Sequence, residues 1–168
     1  MTLPLLPARE AYLVEVHRIA ANVPDPEIPA VTIEDLGILS AVHDKDGQAE
    51  VVLIPTYSGC PATDVIRNMV RQALHEAGHP EVGVRTALSP AWSSELITDA
   101  GREKLRAYGI APPQKRLGGR SLFSEQTVNC PNCGSGQTQR VSEFGSTPCK
   151  ALWRCNACRE PFDYFKCI

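Results

Sequence analysis

Long apolar runs are missing from this chain. No segment approaches the ~18 apolar residues that a membrane-spanning helix needs. The first ten residues, MTLPLLPARE, have neither the basic start nor the apolar core of a signal peptide. A cytoplasmic protein that makes no use of membranes is expected. An excess of either charge is missing too: 17 Lys and Arg face 19 Asp and Glu, a net charge of -2, so no whole-molecule field draws nucleic acid or an anionic bilayer. Aromatic residues make up only 6% of the sequence, few for a base-stacking surface. There is no GxGxxG dinucleotide fingerprint, and no pair of Glu-x-x-His motifs on two long helices such as a di-iron carboxylate bundle uses. Oxygenase or hydride chemistry would have to belong to a partner.

What is present is an ordinary globular composition, 43% hydrophobic and 21% charged. Its 168 residues allow one core of about 100–120 residues and a small module. AREAYLVEVHRIAANV places Tyr12, Val16, Ile19 and Val23 at helical spacing, and the prolines of PDPEIP stop it. LGILSAVH and AEVVLIPT read as two strands joined across Asp46-Gly47, a hairpin signal. Val65, Ile66, Met69, Val70, Ala73 and Leu74 form one apolar helical face, EVGVRTALS reads as a third strand, and SSELITDAGREKLRAYG as a further helix. The order helix, hairpin, helix, strand, helix predicts a small α+β domain over residues 8–108. Residues 109–125, with their prolines, glycines and KRLGGR run, read as a solvated linker to a module at 126–168.

That module carries the strongest signal. Cys130-Pro-Asn-Cys133 and Cys155-Asn-Ala-Cys158 are two CxxC knuckles with 21 residues between Cys133 and Cys155. Two knuckles supply the four thiolates of a tetrahedral zinc site. Four sulfurs leave no open position for water or substrate, so the zinc is expected to be structural, supplying folding energy to a module too small for a core of its own. Cys149 and Cys167 remain: spare metal ligands, a redox pair, or two buried thiols. Residues 126–168 carry five Lys and Arg against three acids, thin for a phosphate-binding face. Trp153, Phe162, Tyr164 and Phe165 read as a small core or a protein-contact surface.

One cysteine stands apart, in PTYSGCPATD. Pro61 suits a first helical position, which puts Cys60 at the N-cap, where unpaired N–H groups and the helix dipole favour an anion. A thiol there is a better nucleophile or metal ligand than a free one. His17 and His75 fall in helices, His43 in the hairpin and His79 in a loop, so a Cys–His hydrolase requires one of them to approach in space. Asp25 and Glu27, at i and i+2 of a segment read as extended, would point their carboxylates the same way and could join Cys60 around iron. Read alone, they make a solvated loop or a cap.

The combination DPEIP, EDLGIL, TYSGCPA and SPAW resembles the SufT-like family of iron–sulfur assembly factors. Its continuation through AGREKLRAYGIAPP, CPNCGS, FGSTPCKALWRC and REPFDYFKCI is similar to the PaaD family within it, from about Tyr12 to Ile168. The resemblance implies an accessory role in aerobic phenylacetate breakdown, in which a multicomponent di-iron oxygenase epoxidises the ring of phenylacetyl-CoA. It also implies that Cys60 is the reactive or cluster-binding cysteine with Asp25 and Glu27 nearby, and that Cys130, Cys133, Cys155 and Cys158 hold zinc. The expected function is maturation of the metal centre, iron or an iron–sulfur cluster, of the oxygenase or its reductase, by a protein that is not itself an enzyme. The alternatives are a non-catalytic assembly subunit and a thiol enzyme using Cys60. Pairing through sheet edges points to a homodimer.

Overall fold

The computed structural model describes residues 8–114 and 127–166. They divide into two compact units, with the boundary after Trp92.

In the first unit, α1 (Ala8–Ala21) and α2 (Ala62–Glu76) pack on each other and on a three-stranded sheet of β1 (Leu39–Lys45), β2 (Gln48–Leu53) and β3 (Gly83–Thr86), in the order β1-β2-β3. The expected hairpin is there. Asp46 (φ 52°) and Gly47 (φ 86°) make a two-residue turn with both φ positive, the twist that suits flanking strands, and Asp44 Oδ1 accepts the Gly47 N–H at 2.8 Å. β2 then pairs parallel with β3, Glu50 opposite Gly83 and Leu53 opposite Thr86. A parallel pair needs a crossover, and α2 supplies it. The buried side of α2 is narrower than its spacing suggests: Ala62, Ile66, Val70 and Leu74 are buried, whereas Val65 lies in solvent. The loops are fastened by side chains. Trp92 Nε1 donates to the Leu36 carbonyl at 2.8 Å across 56 residues of sequence, and Thr32 and Asp35 bond each other's backbone N–H.

The second unit starts earlier in the sequence than expected. The anticipated helix over residues 93–109 is broken: a 3₁₀ turn at Ser94–Leu96 gives way to extended backbone at Ile97, and Thr98 Oγ1 then accepts the Gly101 N–H at 2.9 Å to cap α3 (Asp99–Ala107). Ile110–Ala111, expected in a linker, form β4. It pairs parallel with β7 (Pro161–Phe165), and β6 (Lys150–Cys155) and β5 (Thr138–Ser142) complete a sheet in the order β4-β7-β6-β5. The buried Arg102 guanidinium ties α3 in by donating to the Pro113 carbonyl and, at 2.6 Å, to that of Ser94. The boundary expected at residue 108 therefore moves to Trp92, and α3 belongs to the metal-binding unit. Gln114 Nε2 donates to the Thr127 carbonyl at 2.6 Å, so the described residues on either side of the stretch read as a linker belong to one unit. KRLGGR itself lies outside the described residues.

Candidate functional site

The two CxxC knuckles are built alike. Cys130 N–H donates to the Ser135 carbonyl at 2.9 Å, and Cys155 N–H to that of Glu160 at 3.0 Å, the same offset of five residues. The residue after each second cysteine is left-handed: Gly134 at φ 75° and Arg159 at φ 72°. Each loop thereby folds tightly enough to turn both thiols inward. The four Sγ atoms lie within 4.8 Å of one another, with Cys130 to Cys158 at 3.8 Å and Cys133 to Cys155 at 3.6 Å. A tetrahedron with Zn–S bonds of about 2.3 Å needs sulfurs about 3.8 Å apart, so the residues fit the metal. Backbone N–H groups favour thiolate in the same place. The Cys158 N–H, 3.5 Å from Cys155 Sγ, with that of Ala157, holds the Cys155 thiol down to about 6. Cys158 moves the other way: the Glu160 N–H lowers it, but burial and the neighbouring sulfurs of Cys155 and Cys133 raise it further.

Two further cysteines were candidates for this set. Cys149 is buried with its sulfur 3.0 Å from Thr147 Oγ1 and does not belong to the four-sulfur cluster; Cys167 lies outside the described residues. The aromatic side chains resolve towards the core. Phe162 and Tyr164 pack with Val128, Cys130 and Cys155, Phe165 is also buried, and Trp153 stands edge-on to Tyr164 at 5.9 Å.

In the first unit, Cys60 sits half-buried where the chain has left the carboxyl end of β2 and is about to enter α2. The N-cap of α2 is Pro61 (φ -66°, ψ -24°), one residue after the Cys60 expected there, and the Cys60 carbonyl accepts the Thr63 N–H at 3.1 Å. Gly59, at φ 93°, makes the turn before it. Because β2 and β3 are parallel, their carboxyl ends and the start of α2 share one edge, the position where α/β units place ligands.

Asp25 and Glu27 do not form the extended pair expected of them. Asp25 is buried, and its Oδ1 accepts the N–H groups of Glu27 (2.9 Å) and Ile28 (2.8 Å), while its own N–H donates to Val31. The segment is a turn closed by the Asp25 carboxylate, and Glu27 is left exposed. Among the described residues, the four cysteines are the one cluster of three or more ligand atoms placed for an ion; Cys60, Asp25 and Glu27 do not form a second. His17 pairs with Glu34 at 3.6 Å and His43 with Glu50 at 3.4 Å.

Two features escaped sequence reasoning. His75-Glu76-Ala77-Gly78-His79 spells the metalloprotease signature, which needs both histidines on one continuous helix. α2 ends at Glu76 and Gly78 turns left-handed at φ 89°, so His79 leaves the helix and packs edge-on to Tyr12 instead. The letters match and the geometry does not. Lys150 is the other case, since a lysine ordinarily reads as exposed: it is buried 3.7 Å from Asp163, which also accepts the Ser146 hydroxyl at 3.0 Å.

Comparison with known proteins finds two families along the chain. The family described as "Iron-sulfur cluster assembly protein" matches residues 15–87, and "PaaD zinc beta ribbon domain" matches residues 115–166. An Escherichia coli K12 protein named as the D component of 1,2-phenylacetyl-CoA epoxidase is 47% identical over 92% of both chains. An Fe-S protein maturation auxiliary factor of Porphyromonas gingivalis W83 is 31% identical over 51% of this chain and 82% of its own. The crystal structure of a domain of unknown function (DUF59) from Bacillus anthracis superposes with a TM-score of 0.51 at 27% identity, covering 57% of this chain and 92% of that one. With nearly half its residues shared with the Escherichia coli protein along almost the whole length of both, the chain belongs to the PaaD family, the D components of phenylacetyl-CoA epoxidase.

Proposed function

We propose that this protein is a cytoplasmic maturation factor for the multicomponent phenylacetyl-CoA epoxidase, loading iron or an iron–sulfur cluster into the oxygenase or its reductase rather than acting as an enzyme itself. The observation that carries the reading is the place of Cys60: a half-buried thiol at the start of α2, on the carboxyl edge of a parallel strand pair. A cysteine binds metal through its thiolate. A carrier has to load and then release, which suits a sparse, accessible ligand set better than the closed four-sulfur cage. In this reading Glu27, which is exposed, and Asp25 would join Cys60 only in a transient ligand set, since the three do not stand together as a cluster.

Zinc in the ribbon would be held by Cys130, Cys133, Cys155 and Cys158, where it supplies folding energy and, lacking an open position, no catalysis. The ribbon is then left to dock the client.

The test is to produce the epoxidase in cells lacking this protein, restored with wild type or with Cys60→Ser. Iron per oxygenase molecule, cluster content of the reductase, and turnover are then measured. Loss of metal and turnover that only wild type restores supports delivery through Cys60. Full metal content with lost turnover, rescued equally by Cys60→Ser, makes the protein an assembly factor without a metal-carrying role.

A further inference from the structure

The four sulfurs of the ribbon are not equally protected. Cys155 and Cys130 are 0% and 2% exposed, packed in the core with Phe162 and Tyr164, whereas Cys133 lies at the surface. The asymmetry follows from the fold. Cys155 is the last residue of β6 and Cys130 follows the buried Val128, so each is drawn into the sheet's core. Cys133 comes at the far end of its knuckle, just before the left-handed Gly134, and is exposed although its sulfur joins the cluster. Its sulfur is 3.6 Å from that of Cys155.

We infer that Cys133 is an oxidative modification site, the point at which peroxides reach the metal-binding sulfurs, with Cys155 as the thiolate that resolves it. The inference rests on the reading of the four sulfurs as a zinc site. The Cys133 thiolate attacks one peroxide oxygen; an S–O bond forms, the O–O bond breaks, and hydroxide leaves. The Cys155 thiolate then attacks the Cys133 sulfenic acid, an S–S bond forms, and a second hydroxide leaves. Two electrons pass from the two sulfurs to the peroxide. Two of four ligands are lost together, and the divalent ion departs. Burial denies Cys155 the first step without hindering the second, because its partner is already 3.6 Å away. The disulfide joins the two knuckles to each other rather than closing either one.

The experiment uses the full zinc-loaded chain carrying Cys60→Ser, which removes a competing thiol from the other unit. Hydrogen peroxide is titrated in, zinc release is followed with a chromogenic chelator, and peptides are mapped by mass spectrometry without reduction. The expected result is one zinc released per Cys133–Cys155 disulfide, reversed by dithiothreitol and added zinc. Cys133→His, which keeps four ligands, should slow release at least tenfold. Oxidation that stops at Cys149, or disulfides closed within each knuckle, overturns the inference while leaving the zinc reading intact. A starting protein that holds no zinc overturns both.

Discussion

At Gly145 a single methyl group would collide. A Cβ there would lie 2.5 Å from Asp163 Oδ1 and 3.3 Å from Lys150 Cβ. The Asp163 carboxylate cannot easily yield, being held by Ser146 and facing the buried Lys150 ammonium. Gly145→Ala should therefore cost about 1–3 kcal/mol in urea unfolding of the zinc-loaded protein. Gly134 makes a contrast, because nothing lies within 4 Å of its added Cβ and only its φ of 75° resists substitution. Gly134→Ala should cost about 1–2 kcal/mol of backbone strain, and Gly134→Asn less, since asparagine tolerates that region. Asp25 is informative in another way. As the acceptor of two N–H groups it predicts that Asp25→Ala loses about 1–3 kcal/mol and that Asp25→Asn, which keeps a carbonyl oxygen, loses less. If Asp25→Asn is stable yet fails to restore oxygenase metal content in cells, the carboxylate is a ligand and not only the lock of its turn.

Elements whose periodicity was complete within a few residues could be read directly. The β1–β2 hairpin needs only Asp46-Gly47 between two β-rich runs, and the helix after Cys60 needs only Pro61 and the spacing Ile66, Val70, Leu74. Elements that depend on a distant partner could not. Ile110–Ala111 is a two-residue strand whose identity comes from Asp163 and Tyr164, some fifty positions later, and next to Pro112-Pro113 it has the texture of a linker. The HEAGH run failed in the opposite sense: its local pattern is complete, and the helix ends beneath it. One fastening is testable at this scale. Trp92→Phe removes the indole N–H that meets the Leu36 carbonyl, and should lower the stability of the first unit by about 1–3 kcal/mol. Hydrogen exchange at residues 33–38 should rise with it.

The whole molecule is two units with different sources of stability. The first buries Val16, Ile28, Ile33, Leu36, Val51, Leu53, Val70 and Leu74 in a core of its own. On the proposed zinc reading, metal supplies folding energy to the second, of which α3 is part. Chelation of zinc should therefore strip hydrogen-exchange protection from Asp99–Ala107 and Ile110–Ala111 together with β5 to β7, while α1, α2 and β1 to β3 keep theirs. If α3 stays protected with the first unit, the boundary lies near residue 108 after all.

By itself the sequence determined the α+β character of the first unit, the two cysteine knuckles and the family, because turn chemistry, short hydrophobic periods and CxxC spacing are all written within a few residues. Only the tertiary structure decided that α3 and β4 belong with the knuckles, that Cys149 stays outside the four-sulfur set, that Asp25 closes a turn, and that Cys133 lies open at the surface while its neighbour Cys155 is buried. Each of those depends on which residues meet across long stretches of chain, and burial is a property of the assembled core rather than of any residue in it.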